Sequence, residues 1–141
     1  MIDLQKLLEK IKPYVLSWAH PDWKDWTPTL TGWSSNPTNT VYRYLKKGKT
    51  VMLVIRQAAV GTSDSTAVTF TLPFTAATIT NMVWTGYGIG VDNNVVLTTP
   101  IRGDIPSAGT GVTLYKDFSA AAWTNSGNKR IATFTITYEA A

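Results

Sequence analysis

The stretch TAATITNMVWTGYGIGVDNN, residues 75–94, begins like a strand and then meets glycine at 86, 88 and 90. Trp84 and Tyr87 stand among the glycines, and Asp92, Asn93 and Asn94 follow. Three readings compete: a phosphate-cradling loop, a ligand platform, or β-turn chemistry. A dinucleotide fingerprint needs a helix directly after its glycines. Here VDNNVVLTT, residues 91–99, reads as a turn followed by a strand. The segment also has no Gly-Lys-Ser/Thr of a P-loop, so phosphate binding is set aside. The glycines then permit a bulge, a tight bend or close backbone approach. The expectation is a strand over Ile79–Tyr87 that runs into a glycine-permitted bend, with Trp84 and Tyr87 packed in an interface or offered to a ligand.

The rest of the chain fits a β protein with a short helical lead. Residues 1–26 contain neither Gly nor Thr, and every Gly and Thr of the 141 residues lies beyond them. Gly is disfavoured in helices and Thr favours strands. The expected organisation is a helix and linker over 1–25 and a β domain over 26–141. In MIDLQKLLEKIK, residues 1–12, Leu4, Leu7, Leu8 and Ile11 share one helical face. Asp3 near the start and Lys10 and Lys12 near the end suit the helix dipole. Pro13 should stop or kink this helix, with YVLSWA forming another turn after it. Leu4, Leu7, Ile11, Tyr14 and Trp18 follow the alternating three–four spacing of a coiled-coil seam, which makes them candidate oligomerisation residues. The stripe must pack on something, either the β domain or copies of itself.

Strand candidates then follow one another: Pro28–Trp33, Thr40–Leu45, Thr50–Ala59, Thr66–Leu72, Ile79–Tyr87, Val95–Ile101, Val112–Tyr115 and Ile131–Tyr138. VMLVI within the third predicts a strand buried on both sides. In the last, Ala132, Phe134, Ile136 and Tyr138 should face one side and Ile131, Thr133, Thr135 and Thr137 the other. Closely spaced strands with no helix between them predict an all-β, antiparallel sandwich, jelly-roll-like, behind a short N-terminal helix.

Several chemistries are thin. At 16% charged residues and net charge +4, the chain has one tight basic run, Lys46, Lys47 and Lys49 around Gly48, which reads as a solvated hairpin tip. No nucleic-acid partner is expected. There is no Cys, so disulfides and thiolate chemistry are excluded. No apolar run reaches the length of a membrane-spanning helix, so membrane insertion is not expected, and Asp3, Lys6, Glu9, Lys10 and Lys12 interrupt any secretory core. His20 is the single histidine, which rules out a zinc triad and a Ser-His-Asp arrangement. Asp92, Asn93 and Asn94 lack the rest of a calcium loop. Asp64, Asp92, Asp104, Asp117 and Glu139 show no pairing that would run a glycosidase. No catalytic residue, metal or cofactor is expected.

The aromatics remain. Flat rings beside Asn, Asp and Thr suit a sugar-binding surface, where a ring stacks on the apolar sugar face and polar groups take the hydroxyls. The candidate ligand-binding residues are Trp84, Tyr87, Asp92, Asn93 and Trp123. The competing reading makes Trp26 and Trp84 core and places Trp33 and Trp123 in an interface between subunits.

WKDWTPTLTGW (23–33), TVYRYLKKGKTVMLVIR (40–56), VTFTLPFTA (68–76) and WTNSGNKRIATFTITYEA (123–140) together resemble the C-terminal β heads of tailed-bacteriophage tail-fibre, baseplate and receptor-binding proteins. The resemblance implies a jelly-roll-like head, commonly a homotrimer on a stem, located in the virion and assembled in the host cytoplasm. It implies adhesion to a host-surface saccharide or protein and contact with other virion proteins. It brings no catalytic residues. Two alternatives stand beside it: a purely architectural capsid-decoration or tail-assembly component, and a cellular carbohydrate-binding module or glycan-active enzyme.

Overall fold

The computed structural model describes residues 1–19 and 22–141, and the side chains of residues 1–12 and 22–141. The one helix among the described residues, α1 (Leu4–Ala19), runs through Pro13 without a break, so Lys10 and Lys12 lie mid-helix and not near its end. Asp3 caps it, its Oδ1 accepting the amides of Gln5 and Lys6 at 3.1 and 3.3 Å. His20 lies outside the described residues.

The strands are β1 (Lys24–Asp25), β2 (Leu30–Thr31), β3 (Trp33–Ser35), β4 (Thr40–Lys47), β5 (Thr50–Gln57) and β6 (Gly61–Ser63). They continue with β7 (Val68–Thr71), β8 (Val83–Asp92), β9 (Val95–Val96), β10 (Ile101–Pro106), β11 (Gly111–Tyr115) and β12 (Asn128–Glu139). All the pairings are antiparallel, and the main path runs β1-β4-β5-β12-β8-β10-β11-β7-β2. Its two ends are neighbours in sequence. Trp26 donates its amide to Tyr42 on one edge, and three residues later Thr29 accepts the amide of Thr71 on the other. The segment 24–31 therefore bridges both edges of a curled sheet, which keeps those edges from solvent. The inner faces meet across one core built from Val51, Leu53, Ile55, Val68, Phe70, Ile101, Ile105, Val112, Leu114, Phe134, Ile136 and Tyr138. This is the antiparallel, sandwich-like all-β architecture that the strand spacing predicted.

The hairpin β4–β5 turns at Gly48, whose φ of 58° suits glycine, and the lysines around it are exposed. Strand β5 alternates between buried and outward positions and is not buried on both sides: Met52 points outward. The continuous apolar run misled because one of its two faces is an exposed apolar surface. Strand β12 carries a bulge between Ile131 and Thr133, which turns Ile131 inward beside Phe134 rather than outward with the threonines. The buried Gln57 accepts the Ile131 amide at 2.7 Å, and its own Nε2 donates to the Tyr42 hydroxyl at 3.1 Å. Strand β8 starts and ends later than expected and runs straight through its glycines. The expected strand Val95–Ile101 reduces to β9, with β10 beginning where it was to end. Asn93 and Asn94, both at positive φ, make the two-residue turn between β8 and β9.

Two buried polar side chains tie loops to this frame. Lys129 is fully buried, donates to the Ser65 carbonyl at 2.6 Å and lies 5.5 Å from the Trp33 ring centre. Burial lowers its pKa, against the opposing pull of Asp92 and Asp64. Tyr138 donates to the Phe74 carbonyl at 2.8 Å, and burial pushes its hydroxyl up to about 12. A tyrosine held above its unfolded pKa of 10 stabilises the fold fully below pH 10 and loses that contribution as pH climbs through 12. The loss is about 3 kcal/mol. In Tyr138→Phe this part of the alkaline destabilisation should vanish, at a cost of about 1 kcal/mol near neutrality. Urea melts across that pH range test this, and parallel pH profiles for the two proteins would refute it.

Candidate ligand-binding face

Alternation on β8 sends Trp84, Gly86, Gly88 and Gly90 inward and Val83, Thr85, Tyr87 and Ile89 outward. A Cβ at Gly86 would lie 2.6 Å from Cβ of Ile136, and one at Gly88 would lie 2.8 Å from Cα of Phe134. The glycines thus serve close approach of β8 to β12, and the bend expected after Tyr87 does not occur. Outward on β12 stand Thr133, Thr135 and Thr137, all exposed. Register joins the two strands into one face: Tyr87 pairs with Thr135, which pairs with Val54 of β5, and Thr137 pairs with Met52. Tyr87 is 53% exposed. A shallow groove of about 380 Å³ is lined by Met52, Thr85, Gly86, Tyr87, Thr135, Ile136 and Thr137, none of them charged.

On the other side of Tyr87 the loop after β11 brings Phe118 into an edge-to-face contact, with ring centres 5.2 Å apart. Phe118 is 55% exposed, yet its backbone is fixed. Arg102, paired with Tyr87 across β10 and β8, donates from Nη1 to the Phe118 carbonyl at 2.7 Å. Its Nη2 meets Asp104 at 3.0 Å, and its guanidinium lies 5.0 Å from the Tyr115 ring centre. Asp104 in turn accepts from the Thr85 hydroxyl at 3.0 Å. Asp117 accepts the amides of Ser119 and Ala121 and closes the loop from below. A polar scaffold therefore presents an exposed aromatic pair in one geometry.

The five candidate ligand-binding residues do not form one site. Tyr87 alone reaches this face. Trp84 is half-buried against the core. Trp123 is 2% exposed and donates its indole N–H to the Leu114 carbonyl at 2.9 Å, so it lies in the core and not at a surface. Trp33 is buried likewise. Asp92 is buried, pairs with Lys116 at 3.2 Å, and accepts the amide and hydroxyl of Thr124 at 3.1 and 2.7 Å. Asn93 is exposed in its turn, where its Oδ1 packs on Gly127. Phe118, Thr85, Met52 and the β12 threonines stand on the candidate face, although the sequence reading did not name them as ligand-binding candidates. The period-two alternation of TFTITY did mark the threonine face, but only the register shows what lies beside it.

Of the candidate oligomerisation residues, Leu4, Leu7 and Ile11 are exposed, at 69%, 44% and 42%. Tyr14 and Trp18 lie outside the described side chains. Among the described residues no group of three or more His, Cys, Asp or Glu side chains could hold a metal ion.

Fold and face define an antiparallel β module with a shallow groove of uncharged lining beside an exposed aromatic pair. No family model matches the chain, and no curated protein matches it.

Replacing Arg102 by Met keeps the stem over Tyr115 but removes the bonds to Phe118 and Asp104. The Tyr87–Phe118 ring-to-ring cross-peaks in NMR should weaken severalfold while those between Trp123 and Leu114 persist. Unchanged ring contacts would show that Arg102 does not hold the loop.

Proposed function

We propose that the chain is a non-enzymatic adhesion head of a tailed-bacteriophage virion, which assembles as a homotrimer and binds a host-surface glycan. The observation that carries the binding part is the Tyr87–Phe118 pair, two half-exposed rings beside a groove of threonine hydroxyls. Large rings left half in water, side by side at the edge of a groove, are the mark of a contact surface. The virion assignment rests on the resemblance of roughly residues 23–141 to phage β heads. The uncovered stripe of Leu4, Leu7 and Ile11 supports self-assembly, since a 16-residue helix is marginal in water unless its apolar face is covered. Three copies would present three equal sites, and weak sugar contacts would add through avidity.

Two measurements test the two parts. On immobilised bacterial surface glycans, the full chain should be retained, and Tyr87→Ala should lose about tenfold or more, the scale of one stacked ring. Retention by no glycan, with capture by other virion proteins instead, would favour an architectural role. In light scattering the chain should show three times its monomer mass, and Leu7→Lys with Ile11→Lys should reduce it to the monomer. A monomeric wild type would remove the trimer from the proposal.

A further inference from the structure

Resting on the adhesion reading, we infer that the groove between Tyr87 and Met52 takes a neutral saccharide, with the Tyr87 ring as the stacking surface and Thr135 and Thr137 as the hydroxyl partners. The groove and its uncharged lining span β5, β12 and β8, two strand spacings of about 4.8 Å, over about 20 Å of strand length. That footprint, on the order of 200 Å², is well below the roughly 800 Å² per partner that a stable protein interface buries. The groove's volume of about 380 Å³ falls in the range of small-ligand sites and suits one or two sugar rings.

Sugar rings offer C–H faces and hydroxyls, so a suitable site combines an exposed ring with groups that donate and accept. Tyr87 supplies the ring. Among the described residues, the hydroxyls of Thr135 and Thr137 make no hydrogen bond to the protein and remain open in both roles. Thr85 donates to Asp104, which leaves its oxygen as an acceptor toward the groove.

Charge then selects the class of sugar. The net charge of +4 would suggest acidic glycans if the cations lay here. They do not. No charged side chain lines the groove: Arg102, in register with Tyr87, is matched by Asp104 at 3.0 Å, and Arg56, exposed on the outward face of β5, stands beyond Val54 and outside the lining. On the far side Arg43 is matched by Asp25, also at 3.0 Å. A sugar carboxylate or sulfate entering this groove would give up water and meet no cation among the lining residues. A neutral ring incurs no such penalty.

The test immobilises neutral polysaccharides (dextran, mannan, galactan) and acidic ones (alginate, hyaluronate, heparin), and measures retention of the full chain at low and high ionic strength. The inference expects retention on a neutral arm, insensitive to salt. Thr135→Val, a substitution on an exposed strand position, should weaken it about tenfold, while melting as the wild type does. Salt-sensitive retention on the acidic arm alone would overturn the neutral groove yet leave adhesion standing. Neutral-arm retention indifferent to Thr135→Val would also overturn it, by moving the contact elsewhere. Retention on neither arm would sink the adhesion reading itself and the inference with it.

Discussion

The backbone of β8 lies so close to β12 that Gly86 and Gly88 have no room for a side chain toward the core. Phe134 and Ile136 of β12 occupy the space that larger residues there would need, and the Phe134 ring also fills the volume above Gly103 on β10. Gly90 is closed off in the same way by Ile101 and Trp123. Between Trp84 and Val91 the strand thus supplies no inward side chain, and its neighbours fill that space instead. The consequence falls on the other face. Tyr87 and Ile89, which would ordinarily be core residues, are held in solvent, because a one-residue slip of β8 would drive them into Phe134 and Trp123. The apolar outer surface is therefore fixed by the packing of the core beneath it.

Buried polar groups stabilise the irregular places in this frame. Gln57 receives the Ile131 amide where the β12 bulge breaks the ladder. Asp92 gathers Thr124 and Lys116, and so anchors the loop that carries Trp123 inward. Lys129 reaches the Ser65 carbonyl beneath Trp33. Each charge loses hydration on burial, and an unpaired one would cost several kcal/mol, so each is matched by a specific partner. Such groups set register more than they add stability. Arg102 plays a comparable part at the surface, where it joins β8, β10 and the Phe118 loop.

Much of the fold was legible because it rests on local signals. The β4–β5 hairpin follows from Lys47-Gly48, the alternation in β7 and β12 follows from TFT and TFTITY, and the helical lead follows from the absence of Gly and Thr before Trp26. What failed to show depends on contacts between distant segments. Ile131 faces inward only because of a bulge, and a bulge leaves no trace in apolar spacing. Trp123 sits in a polar, Ala-rich stretch, AAAWTNSGN, that reads as a surface loop, yet Asp92, thirty-one residues earlier, pulls that stretch onto the core. The glycines of β8 read as a bend because their purpose lies on β12. Of the site, Tyr87 was visible as an aromatic between glycines, whereas Phe118 had no neighbour in sequence to suggest that it shares a face with Tyr87.

The proposed groove and the proposed trimer explain each other. A site without charge has no long-range attraction to offer, and a ring stacked on a sugar with two or three hydroxyl contacts is worth little by itself in water. A single copy would release its ligand quickly. The exposed stripe of α1 has the matching deficiency, for it cannot be stable alone and no described part of the β module covers it. Joining copies through the helix covers that stripe and raises the effective concentration of the remaining grooves once one is filled. Weak single contacts also let an adhesion protein sample a surface and leave it, while several together hold. On this reading the absence of charge in the groove suits a protein whose strength of attachment is set by number and not by the affinity of any one site.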